Sequence, residues 1–127
     1  MKNIKKFLKS GFYSANLILI IFYLFPGSLL GCFFYSDCNI QPQITSDFII
    51  SSNHFYAFSI LSILGIFAYY KTKEINFLIS YLFFLSIVLE LFHLVIPNRG
   101  FEFSDLFGNI VGIVFVIIIY KVKDKYV

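Results

Sequence analysis

Charge is what this sequence has least of. Only 13% of its 127 residues are charged, while 59% are hydrophobic. An average soluble domain carries about 25% charged residues. So small a polar fraction cannot cover a water-soluble globule of this length, and the solvent for most of the surface is expected to be lipid. Arginine is nearly absent, with Arg99 alone beside nine lysines. The basic residues form no aromatic-interleaved patch, so the net charge of +3 does not point to nucleic acid. Cysteine is limited to Cys32 and Cys38, too few for a zinc site without further ligands. No HExxH, P-loop or GxSxG pattern occurs, and there is no internal repeat or low-complexity segment. The length predicts a single domain over 1–127.

What the sequence does have is long apolar runs. A transmembrane helix needs roughly 20 apolar residues, and four runs meet that length, at about 12–34, 48–70, 75–96 and 102–120. Pro26-Gly27 inside the first run predicts either a kink or the outer end of that helix. A basic start before an apolar run also fits a signal peptide, and Leu29-Leu30-Gly31-Cys32 has the form of a lipoprotein cleavage box. The length of the run and the three spans that follow favour an uncleaved span. The stretch 37–47 is the most polar and reads as an exposed loop. Cys32 and Cys38 at its start form either a disulfide or two free thiols. The predicted fold is all-α, a polytopic membrane protein with a bundle of four transmembrane helices.

Orientation follows from the lysines. With a cytoplasmic N-terminus, Lys2, Lys5, Lys6, Lys9, Lys71, Lys73, Lys121, Lys123 and Lys125 all fall inside and Arg99 falls outside. The loops are short, so the positive-inside rule applies and predicts N-in/C-in in the cell membrane. Tyr13, Tyr69, Tyr70 and Tyr120 then sit at the inner headgroups.

This topology brings separated polar residues to one level. His54 lies about 10 Å below the outer end of its span at 1.5 Å per residue, and Glu90 lies at a similar depth. His54, Glu90, His93, Arg99, Asp105 and Asn109 are expected to share an outer-leaflet pocket. Glu90 and His93 share a helix face at i, i+3, and Asp105, Asn109 and Gly112 form one stripe. Gly108 and Gly112, four apart, would let another helix approach closely. Intramembrane charges seek partners, so Arg99 is expected to grip Glu90 or Asp105. Ser104 is the expected cap of the last helix. An acid–Arg network that only pins helices is the alternative to a functional site.

The stretch Glu90-x-x-His93, Pro97-x-Arg99-x-x-Glu102-x-x-Asp105-x-x-x-Asn109-x-x-Gly112 resembles the VanZ-like family. That family shows Glu-x-x-Gln, Pro-x-Arg and Asp-x-x-x-Asn-x-x-Gly between its last two spans. His54-Phe55-Tyr56-Ala57-Phe58 looks like its other motif, at the head of the second span. Here His93 stands where Gln is usual, and Ile50-Ser51 stands where Asp-Lys is usual, with Asp47 one turn earlier. Val116 occupies a region where a further small residue often follows. The resemblance covers nearly the whole chain. It implies a cell-envelope membrane protein and a link with low-level resistance to teicoplanin, a glycopeptide acting on cell-wall precursors.

Three functional readings follow. The first is a non-enzymatic protein whose outer pocket binds a phospholipid or a lipid-linked cell-wall precursor. Arg99 would contact phosphate, and Asn109 and His54 would orient it. Glu90 and Asp105 would then need a compensating metal or proton. The second is an intramembrane enzyme using Glu90, His93, His54 and Asp105 as acid and base or as metal ligands; Ser104 is a conceivable nucleophile that no motif marks. The third is a proton- or ion-conducting subunit of a homo-oligomer. The first is the principal expectation; it calls for no obligate cofactor, and its partners are the bilayer and the bound lipid.

Overall fold

A computed structural model describes residues 2–126. The described chain is helical, without strands: α1 (Lys2–Leu24), α2 (Leu29–Tyr35), α3 (Ser52–Ala68), α4 (Ile75–Phe92) and α5 (Phe103–Tyr126). Three of these, α1, α4 and α5, are long and apolar enough to cross a membrane. The apolar α3 is shorter, at 17 residues.

Helix ends fall where the backbone chemistry changes. The apolar run expected over 12–34 is divided: α1 starts among the lysines at Lys2 and stops at Leu24. Pro26 carries no N–H and biases Phe25 away from helical angles. Gly27 then takes a positive φ of 122°, which a side chain would oppose. Ser28 opens α2 by accepting the Gly31 N–H on its Oγ at 3.0 Å. After α2 the chain folds back across Gly31, where a Cβ would run into the carbonyls of Ile40 and Asp37. Cys32 and Cys38 are joined as a disulfide, and the Ser28 N–H donates to the Cys38 carbonyl at 2.8 Å.

The second run was expected to be helical from 48, but α3 starts only at Ser52. Asp47 anchors that start, its Oδ1 accepting the Ser52 N–H at 3.0 Å. α4 ends at Phe92 rather than 96. The bonds tighten to i→i+3 at His93, Leu94 and Val95, and Pro97 follows. α5 runs on through the tail, with Lys123 and Lys125 in its last turn, where cations oppose the negative helix end. Ser104 lies inside α5 and its Oγ reaches Glu102 Oε2 at 3.5 Å, so it is not the expected cap.

The buried apolar core comprises Phe12 and Tyr23 of α1, Phe58, Leu61, Ile66 and Ala68 of α3, Leu78, Leu82, Leu85 and Leu89 of α4, and Ile113 and Val116 of α5. α3 is central and packs chiefly on α5 and then on α1. The α3–α5 seam is close because α5 is smooth there. A Cβ on Gly108 would come within 2.7 Å of the Ser51 carbonyl, and one on Gly112 within 2.7 Å of the Phe55 carbonyl. The outward faces carry Leu17, Ile18 and Ile21 of α1, Phe77 and Phe84 of α4, and Phe115, Ile118 and Ile119 of α5, all exposed.

Candidate functional site

The end of α1, the start of α3, the end of α4 and the start of α5 meet at the end of the assembly away from the lysines. The hydroxyl of Tyr23 lies at their centre. It donates to Glu90 Oε2 at 2.6 Å. It accepts from Asn109 Nδ2 at 2.7 Å and stands 2.7 Å from His54 Nδ1. Asn109 places its second amide hydrogen on the Ser86 carbonyl at 3.3 Å, and its Oδ1 lies 2.9 Å from His54 Nδ1. Glu90 Oε1 accepts the backbone N–H of Glu102 at 3.2 Å. Tyr23, Glu90, His93 and Asn109 are all buried, Glu90 and Asn109 completely.

Hydrogen-bond direction fixes much of the proton arrangement. A carbonyl oxygen only accepts, so His54 Nδ1 carries the hydrogen toward Asn109 Oδ1. His54 Nε2 then turns toward Asp105 Oδ2 at 3.6 Å. By the same rule His93 Nε2 donates to the Tyr23 carbonyl at 2.9 Å, and its Nδ1 faces Glu90 Oε1 at 3.4 Å. Each of the two acid–imidazole contacts therefore sets a ring nitrogen against a carboxylate oxygen. The ring of His93 also stacks on Tyr23, with centroids 4.6 Å apart.

Arg99 does not pair with Glu90 or Asp105 as expected. It donates through Nη2 to the Phe22 carbonyl and through Nε to the Phe25 carbonyl, each at 3.1 Å. The reason lies in α1. The Phe22 carbonyl would normally take the N–H of the residue four further on, and that residue is Pro26, which has none. The guanidinium fills the gap. The imidazole of His93 does the same for the Tyr23 carbonyl, one residue beyond.

These residues border a cavity of about 550 Å³. Tyr23, His54, His93, Arg99 and Asp105 form its polar side, while Leu19, Phe22, Leu30 and Phe34 form an apolar wall. Asp47 and the loop residues Gln41 to Ile44 cover it. His54, Glu90 and Asp105 each offer one ligand atom, all within 4.8 Å of one another, and could hold a metal.

The structure thus places His54, Glu90, His93, Asp105 and Asn109 in one cluster, with Arg99 at its rim. Gly108 and Gly112 lie behind the cluster in the α3–α5 seam. The residue that sequence reasoning missed is Tyr23. Its signal was a phenol among apolar neighbours late in the first run, where a buried hydroxyl needs a partner. No family model, curated protein or solved structure matches the chain.

Proposed function

We propose that this chain is a four-span membrane protein of the VanZ-like kind, with both termini in the cytoplasm, whose outer-leaflet pocket binds the anionic headgroup of an amphiphile. The ligand class is a phospholipid or a lipid-linked cell-envelope intermediate. The observation that carries this reading is the two-faced cavity. Its apolar wall from α1 and α2 suits an acyl or polyprenyl chain, and its polar side suits a headgroup. Arg99 is held by Nε and Nη2, and its Nη1 has no partner among the described residues, so it can still meet a phosphate oxygen. At 17 residues α3 is at the short end for a span, and its polar cap at Asp47 and Ser52 would lie at the outer headgroups.

A proton-relay reading finds less support. Beyond Asn109 and Ser86 the buried core includes Phe58, Leu61, Leu82, Leu85 and Ile113 with the hydroxyls of Ser59 and Ser62, and among the described residues no buried titratable side chain carries a proton onward. Acid–base chemistry on a bound lipid uses the same residues and is the second reading, because His54, Asp105 and His93 border the cavity.

Native mass spectrometry of the purified chain in mixed micelles tests the proposal. Phosphatidylglycerol is expected to be retained over phosphatidylcholine, and Arg99→Ala is expected to lower that preference about tenfold, the loss of one charge-assisted contact of about 1.4 kcal/mol. Equal retention of both lipids by the wild type would sink the reading. The orientation has its own test. After mild reduction, an impermeant thiol reagent should reach exposed Cys38 in intact cells; labelling only after permeabilisation would invert the topology. The link with teicoplanin is tested by the susceptibility of a Gram-positive host expressing wild type or Arg99→Lys at matched levels, with protection expected from the wild type alone.

A further inference from the structure

We propose that His54, Glu90 and Asp105 form a binding site for a divalent transition metal, best suited to Zn²⁺, at the inner side of the cavity. The claim goes beyond the headgroup reading and does not rest on it.

Three observations carry it. The first is geometric. His54 Nε2 and Asp105 Oδ2 are 3.6 Å apart. Two ligand atoms on a tetrahedral zinc, each about 2.0–2.2 Å from the ion, are separated by about 3.4 Å. The third ligand atom, from Glu90, completes a set within 4.8 Å. His54 and Asp105 are the partly exposed members, with side chains 16% and 18% accessible, so they are free to close on an ion while buried Glu90 stays in place.

The second is the tautomer. His54 directs its Nδ1 hydrogen to Asn109 Oδ1 at 2.9 Å. That leaves the Nε2 lone pair turned toward Asp105 Oδ2. A ligating histidine usually has its other ring nitrogen tied to an oxygen acceptor in this way. Glu90 is oriented in turn by the Tyr23 hydroxyl and the Glu102 N–H.

The third is charge. Among the described residues no lysine or arginine lies within ion-pair distance of Glu90 or Asp105, because Arg99 is held at the carbonyls of Phe22 and Phe25. Two carboxylates in an apolar surround need a cation. One divalent ion would neutralise both. His93 is not in the ligand set. Its Nε2 is held by the Tyr23 carbonyl, and its Nδ1 flanks Glu90 on the other side. A donor set of one imidazole and two carboxylates suits zinc or manganese rather than copper(I) or magnesium. Three protein ligands would leave at least one position open to the cavity, as zinc sites that bind an exogenous ligand do.

The test uses the full chain, purified in detergent without a polyhistidine tag and stripped with a chelator. It is reloaded with Zn²⁺ alone, desalted and assayed for metal by mass spectrometry. About one zinc per chain is expected. Competition against a chromogenic chelator should show His54→Gln and Asp105→Asn each weaker by about tenfold or more, the scale set by losing groups that hold the metal. Asp124→Asn, at the far end of α5, should bind as the wild type does. If both site variants misfold, the melting temperature of the wild type decides, since a ligand of the native state raises it until the site is filled. A rise that saturates at one equivalent supports the site. No retained zinc, zinc retained equally by wild type and Asp105→Asn, or no shift in melting temperature overturns it, and the two acid–imidazole pairs then hold protons.

Discussion

The two ends of the helical assembly use their polar side chains in opposite ways. At the acid end, Tyr23, Glu90, His93 and Asn109 are buried and bonded to one another across three helices, α1, α4 and α5. At the lysine end the groups stay at the surface. Lys5 reaches the Tyr70 carbonyl at 3.3 Å, Lys9 sits 4.8 Å from the Tyr69 ring centre, and the Tyr13 and Tyr69 hydroxyls bond to each other. Lysine stems and tyrosine rings of this sort lie along apolar surface with their polar tips outward. The difference is one of alternatives. A lysine that loses its partner at an interface turns to water or to a headgroup, whereas a carboxylate that loses its partner inside the acid end has nowhere to turn.

The comparison predicts a steep gradient in mutational cost. Glu90→Ala should be the most damaging single change. It strips the Tyr23 hydroxyl, the Glu102 N–H and His93 of their acceptor in a fully buried place. Removing one member of a buried charged set typically costs about 3–5 kcal/mol. Unfolding by denaturing detergent, read by circular dichroism, should show it, and a loss below about 1 kcal/mol would mean the acid end is as loosely held as the lysine end. Tyr23→Phe comes next. Asn109 Nδ2 and Glu90 Oε2 would each lose a partner, and about 1–3 kcal/mol per unsatisfied buried group sets the scale. The same change should leave the Tyr13–Tyr69 contact at the other end untouched, which near-ultraviolet spectra of the tyrosines can check.

The legible part of this molecule was what lipid or burial imposes on residue type. Apolar runs announced four of the five helices in order, and the ionisable and amide residues within them (His54, Glu90, His93, Asp105, Asn109) stood out against an apolar background. The structure gathers these five around Tyr23. Tyr23 itself was not legible, because a tyrosine near a helix end is also an ordinary interfacial residue. The partners of Arg99 were not legible either. They are backbone carbonyls, which have no residue-type signature; that of Phe22 lacks its helical donor because Pro26 has no N–H, and that of Phe25 lies past the end of α1. Helix ends were misplaced for the same kind of reason. Residues 28–35 and 48–51 are apolar enough to continue a span, but local bonds decide otherwise. The Ser28 hydroxyl opens the separate α2, and the Asp47 carboxylate sets the start of α3.

Between the two ends the α3–α5 seam offers an intermediate effect. Gly112→Val would force side-chain atoms into the space held by the Phe55 carbonyl and the Ser59 hydroxyl, 2.7 and 3.1 Å from where a Cβ would lie. Overpacking of this kind costs about 1–3 kcal/mol. Gly11→Val, at a position where a Cβ meets nothing within 4 Å, is the matched control and should cost less. Equal losses from the two glycine changes would mean that helix propensity, not the seam, sets the penalty.

The smallest effect is expected at the lysine end, and its smallness is the sharpest form of the comparison. Lys9→Gln removes a cation lying over the Tyr69 ring and leaves the ring where it is. Contacts of this kind at exposed sites are worth about 0.5–1 kcal/mol, and a solvated interface supplies replacement partners for the ring and the chain end. The change should therefore lower stability by less than about 1 kcal/mol and should weaken further as salt is raised, because the charge is open to counterions. The Glu90→Ala penalty should hardly respond to salt, since no ion reaches a carboxylate with no exposed surface. A salt titration of both variants beside the wild type separates the two ends by physics rather than by size of effect. If both penalties fell together with added salt, the acid end would be solvated, and the burial that sets it apart would not hold in the bilayer.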